Sequence, residues 1–207
     1  MKKYFLSVTL TFLQEILGTQ TGDKDLYRTY IGSKAPDAAT IEEEVEAVGV
    51  EGVVEKAKTH FPKNKDGKPF IYDYQIRGFF KSACGALKMN SPESLSAKVK
   101  AHRKLVDLGI FVRDRENVFF NYNPEDFKEH SRPLLATTMQ GQRACTAISE
   151  TLPAGTKVCV TIMVFNKAHL ELVKEWLDYG QFNGLLQWRN AGNGKFKWEA
   201  FRDYEED

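Results

Sequence analysis

From Tyr4 to Leu13, apolar and polar residues roughly alternate in a stretch rich in β-formers, which predicts a first strand. Residues 18–37, GTQTGDKDLYRTYIGSKAPD, carry three glycines among polar residues and read as an irregular excursion. A helix is predicted from Thr40. Thr40 and Glu43 stand at capping-box spacing, Glu42, Glu43 and Glu44 suit the positive end of a helix dipole, and Ile41, Val45 and Val48 form one thin apolar stripe. PKNKDGKP at 62–69 is a basic, turn-rich linker. The clearest helix follows it. Ile76, Phe79, Phe80, Ala83, Cys84 and Leu87 recur at i, i+3, i+4, i+7, i+8 and i+11, and the other face carries Arg77, Lys81, Ser82, Gly85 and Lys88.

Ser91 and Pro92 predict the cap of a further helix, with Leu95, Val99 and Val106 inward and Lys98, Lys100, Arg103 and Lys104 outward. Residues 110–121 and 133–150 each read as a hairpin, the second with Gln140-Gly141 near its tip. LPAGT is a turn and KVCVTIMVF (157–165) a strand. Asn166 predicts the cap of a helix carrying Leu170, Val173, Trp176 and Leu177, which stops at Gly180. Lys195 to Phe201 alternates as a last strand, and the acidic tail DYEED is expected to fray. Without the insertions the order is β-α-β-β-α-β. The predicted class is therefore α+β: a ferredoxin-like (RRM-like) core with a helical insertion and an extra hairpin, helices on one sheet face and the other face free. The expected organisation is a single domain, 1–207, with an insertion at about 18–66.

Composition narrows this little. With 42% hydrophobic and 12% aromatic residues the chain can build a real core, and a net charge of +1 leaves only charge distribution to speak about partners. Cys84, Cys145 and Cys159 are widely spaced and show no CxxC or Cys/His ligand spacing, so no metal site, cofactor or disulfide framework is expected. A reducing, cytoplasmic setting is the simplest reading. Thr9, Thr11, Gln14 and Glu15 interrupt the apolar N-terminal run, so neither a signal peptide nor membrane association is expected.

Between the last helix and the last strand lies GLLQWRNAGNGKF, Gly184 to Phe196. It is no dinucleotide fingerprint, because it follows a helix, precedes a strand and lacks the third glycine. Two readings stand. The glycines let the chain turn with positive φ. Alternatively, they bring backbone N–H groups to a phosphate chain while Arg189, Lys195 and Lys197 neutralise it and Trp188 stacks on a base.

The helix, glycine-rich loop and closing strand resemble the signature of the RAMP superfamily, the RNA-binding subunits of class 1 CRISPR effector complexes. TLPAGTKVCVTIMVFN (151–166) is similar to that family's penultimate strand, QIRGFFKSACGALK (75–88) to the first helix of its backbone-forming subunits, and RPLLATTMQGQRACTAISE (132–150) to their hairpin. The resemblance spans most of the chain outside residues 18–66, in matching order. It implies a core that grips guide-like single-stranded RNA through its backbone. Arg77, Lys81 and Lys88 match the basic positions of the helix, and Gly184, Arg189, Asn190, Gly192, Gly194 and Lys195 match the loop. Leu185, Leu186 and Gln187 stand where more glycines often occur in the family. Asp23 and Asp25 lie in the excursion, with nothing beside them to fix the register of a target-cleaving aspartate.

Taken alone, Arg77, Lys81 and Lys88 are also what an ordinary solvated face looks like. Gly85 on that face is costly in mid-helix, about 1 kcal/mol relative to alanine, and suggests a close backbone approach. Lys98, Lys100, Arg103 and Lys104 read as solvated. His60, His102, His130 and His169 have no partner nearby in sequence, so no catalytic residue is assigned. Trp176 and Trp198 are expected in the core. Trp188 is the tryptophan expected to be exposed, for base stacking or as a lid. The function so read is single-stranded RNA binding in or against a CRISPR-type ribonucleoprotein, with effector subunits as partners and room for an oligomer. The alternative is a phage-encoded anti-defence (anti-CRISPR) protein acting by protein–protein interaction or subunit mimicry. An endoribonuclease ranks below both.

Overall fold

The computed structural model describes residues 1–21, 58–138 and 141–206, with backbone only for 134–138 and 141–145. The expected helix from Thr40, Asp23, Asp25, Gln140 and the Cys145 side chain lie outside what is described. The described residues form an α+β structure with three helices and two mostly antiparallel sheets.

The first sheet is built on β1 (Lys3–Phe12). The remaining early strands are short: β2 (Ile16–Leu17), β3 (Gln20–Thr21), β4 (Thr59–His60) and β5 (Phe70–Tyr72). Helix α1 spans Asp73–Asn90, and α2 spans His102–Gly109. Then come β6 (Ile110–Val112), β7 (Glu116–Phe120), the long pair β8 (Lys128–Thr138) and β9 (Gly141–Leu152), and β10 (Lys157–Val164). Helix α3 (Ala168–Tyr179) and β11 (Phe196–Glu206) complete the chain. One sheet runs β11-β1-β10-β7-β5 with β6 also on β10, and the other runs β2-β9-β4-β3 with β8 on β9.

Strand alternation decides where the core lies. Leu6, Val8, Leu10 and Phe12 of β1 and Val158, Val160, Ile162 and Val164 of β10 are buried on one face. They meet Ile76, Phe79, Phe80, Ala83 and Cys84 of α1 and Leu170, Val173, Trp176 and Leu177 of α3 in a single cluster. The intervening residues point the other way, where Ser7 Oγ lies 3.0 Å from Thr161 Oγ1. Burial pushes the Cys84 thiol above its usual pKa, whereas Cys159, on the opposite face, is exposed.

Three expectations are corrected. Residues 110–120 are no hairpin, because β6 and β7 both run antiparallel to β10. From Val112 to Phe119 the chain advances seven residues while β10 retreats four, from Ile162 to Val158, so the charged segment 113–115 is a bulge within one strand. The Asn117 amide braces that bulge by donating to Asp114 O at 2.9 Å. As far as Glu206 the acidic tail does not fray. It stays in β11 because Tyr204 stacks on Phe5, with ring centroids 4.7 Å apart and planes 6° from parallel.

The helix expected after Ser91 is split into a 3₁₀ turn (Leu95–Lys98) and α2. Ser94 rather than Ser91 is its cap, accepting from the Ala97 N–H at 3.1 Å. The Glu175 carboxylate of α3 holds the turn, accepting from the N–H groups of Leu95 (2.7 Å) and Ser96 (3.0 Å) and from Ser96 Oγ (2.6 Å). The buried Trp176 donates its indole N–H to the same Ser96 Oγ at 2.9 Å.

Candidate nucleic-acid interface

The loop after α3 is a closed neck carrying a small head. Gly184 and Gly194 face each other across the neck. A Cβ on either would collide with the other side's backbone, and the Leu185 N–H donates to Gly194 O at 2.9 Å. The neck is tied to the end of β1 by Gly194 N–H to Glu15 O (3.0 Å) and Leu13 N–H to Lys195 O (2.7 Å). Both glycines are buried, so their lack of a side chain serves chain crossing. Gly192 and Gly194 also turn the chain, at φ +95° and +71°. Leu185 is buried in the core, and Gln187 accepts a hydrogen bond from Arg132 Nη2 at 3.1 Å. Leu185 and Gln187 thus each have a structural role in the loop.

Trp188, expected to be the exposed tryptophan, is half-buried in a left-handed backbone conformation, φ 58° and ψ 33°. The Arg132 guanidinium of β8 lies over its ring, 3.7 Å from the centroid. Arg132 is only 7% exposed, and burial pushes its pKa below the usual guanidinium range. Its Nε and Nη1 have no hydrogen-bond partner among the described residues. A desolvated cation on an indole face contributes about 2 kcal/mol. Beyond the indole is a hollow of about 560 Å³ lined by Leu186, Trp188, Arg189, Asn190 and Ala191.

The expected basic face of α1 is mostly engaged. Arg77 pairs with Asp73 at 2.9 Å, Lys81 with Asp107 of α2 at 2.6 Å, and Lys88 Nζ donates to the carbonyls of Val99 (2.8 Å) and Lys100 (3.2 Å). What the sequence did not signal is that α2 folds back beside this face. Lys100 and Arg103, read as solvated, stand with Lys81, Lys88 and His102 around a cleft of about 760 Å³ between the two helices. Gly85 is on its floor, and a Cβ there would lie 3.6 Å from His102 Nε2, an ordinary contact. With Lys81 neutralised by Asp107, the cleft keeps the charges of Lys88, Lys100 and Arg103. The cleft and the loop hollow share no lining residue, so the structure does not join them into one cavity.

The histidines also acquire partners that lie far away in sequence. His60 Nδ1 is 4.0 Å from Glu150, and His130 Nδ1 is 3.6 Å from Glu15. Burial holds His169 below the usual imidazole pKa. Trp176 is fully buried, while the Trp198 indole N–H reaches Asp178 at 2.8 Å. No group of three or more His, Cys, Asp or Glu side chains with metal-binding geometry occurs among the described residues. No helix among them is long and apolar enough to cross a membrane.

No family model matches the chain, and no curated protein matches it in sequence. The fold is similar to that of a chain in the structure titled "Cryo-EM structure of the Type III-B Cmr-beta bound to cognate target RNA", with a TM-score of 0.53 and 10% identity. The match covers 99% of this chain and 61% of the other.

Proposed function

We propose that this chain is a RAMP-type protein that binds single-stranded RNA, with the α1–α2 cleft as its phosphate-binding surface and the loop after α3 as a second contact, and that it works with the subunits of a CRISPR-type ribonucleoprotein. The observation that carries this is that Lys88, Lys100 and Arg103 line one cleft with Gly85, while the acid beside it, Asp107, is already paired with Lys81. Closely spaced cations of this kind suit a phosphate chain.

Two further points support the reading. The strand order β11-β1-β10-β6/β7, with α1 and α3 packed on one face, supports reading the α+β structure as a ferredoxin-like β-α-β-β-α-β core. The fold also resembles a chain of a CRISPR complex solved with its target RNA. Of the residues named from the sequence, Arg189, Asn190 and Lys195 stand on the loop's head and exit, and Gly192 shapes it. Arg77 and Lys81 would reach RNA only by leaving their carboxylate partners. Gly184 and Gly194 act by closing the neck.

Filter binding of a labelled single-stranded RNA over a range of salt concentrations tests the function. Affinity that declines with salt, by about 0.7 in log–log slope for each phosphate contacted, is expected. An affinity indifferent to salt, or none, rules the proposal out.

A further inference from the structure

We infer that the hollow beside Trp188 is a seat for a single unstacked RNA base, which stacks on an indole held in place by Arg132. The seat presupposes the RNA binding proposed above and adds a second kind of contact to it, one that recognises a base.

Three observations converge. The indole is fixed before any ligand arrives: Arg132 stacks on it at 3.7 Å and is fastened to the neighbouring Gln187. Trp188 lines the hollow and Arg132 does not, so the guanidinium stacked on the indole leaves the hollow open. A bulky residue with positive φ is uncommon, and Leu186 (φ 70°) and Trp188 (φ 58°) both adopt one within three residues. The conformation presents Trp188 at the rim of an open space when a relaxed loop could fold it inward.

The space has the size and chemistry for a base. At about 560 Å³ it falls within the range of about 300–1,000 Å³ usual for small-ligand sites. An indole gives a π-face on which any base stacks, the Asn190 amide offers a donor and an acceptor to a base edge, and Arg189 supplies a cation for the adjoining phosphate. The Lys195 ammonium turns back toward the same head, about 4.0 Å from where a Cβ on Gly192 would stand. Cations flanking an aromatic face favour a base carrying its phosphate over a protein side chain.

The test uses tryptophan emission from the intact chain. Trp176 is fully buried and Trp198, half-buried, is tied to Asp178, so the Trp188→Phe variant assigns the signal to Trp188. Titration with a short oligouridylate is expected to quench emission, whereas an abasic strand of the same length quenches little. In the Trp188→Phe variant the quenching disappears. In Trp188→Ala, affinity for the oligonucleotide falls about 5- to 140-fold, as expected for loss of one base–aromatic stack. Binding that keeps its salt dependence, with wild-type emission unchanged and the Trp188→Ala affinity intact, overturns the base seat and leaves the RNA-binding function standing. Equal quenching by the abasic strand, or quenching by an arginine-rich peptide but not by the oligonucleotide, overturns the seat as well. Absence of any salt-dependent RNA binding removes the function and the seat together.

Discussion

Removing Lys100 and Arg103 together tests the cleft most directly. Both are exposed, on or just before α2, so Lys100→Ala/Arg103→Ala should leave folding within about 0.5 kcal/mol of wild type. Each phosphate contact to a single strand adds about 0.7 to the steepness of log K against log salt. Taking 1 M salt as the point where this contribution vanishes, one contact is worth about 5-fold in affinity at 0.1 M and about 1.6-fold at 0.5 M. Losing two therefore weakens binding about 25-fold at 0.1 M, only about 2.5-fold at 0.5 M, and flattens the slope by about 1.4. Filter binding at several salt concentrations, with urea unfolding of the same preparations, measures all three. A loss that is equal at both salts refutes the cleft as a phosphate surface, because it cannot come from displaced counterions. Undiminished binding refutes it more simply.

Other outcomes follow from the same geometry. Asp107→Asn releases Lys81 from its 2.6 Å pair, so RNA binding should tighten up to about 5-fold at 0.1 M salt, with a steeper salt dependence. Gly194→Ala places a Cβ at φ +71° against Leu185 O and should destabilise the chain by about 2–4 kcal/mol, read from urea midpoints. His169 is held neutral by burial, with its pKa below the unfolded value of about 6.5. Below that pH the unfolded chain takes up a proton that the folded chain refuses, so stability declines on acidification and is unaffected by this group above about pH 7. Urea midpoints at neutral and mildly acid pH should therefore diverge less in His169→Gln than in wild type.

Elements whose partners are generic were legible in the sequence. The apolar stripe of α1 and the alternation of β1 and β10 need only some hydrophobic surface to face, and Ile76, Phe79, Leu6 and Val160 found it in one core. Asn166 was recognisable as a cap because its target, the Ala168 N–H 3.0 Å away, is two residues along. Features fixed by one particular distant partner were not legible. The break after Lys98 depends on a carboxylate about 80 residues later, the order of the acidic tail on a ring at Phe5, and the posture of Trp188 on a guanidinium from β8. At the candidate site, the neck glycines were visible as glycines, but what crowds them was not. Lys100 and Arg103 belong to the cleft only because α2 turns back, which their own spacing does not encode.

The clip that Glu175 and Trp176 place on Ser96 has a consequence for how the protein comes into being. The cationic groove is lined by residues 81–103, yet its second wall is positioned from α3. A nascent chain that has emerged only through α2 therefore carries every lining side chain and the ties of Lys81 to Asp107 and of Lys88 to Val99 and Lys100, but not the clip from α3. The fold thus adds the last fastening of that surface only when α3 has been made.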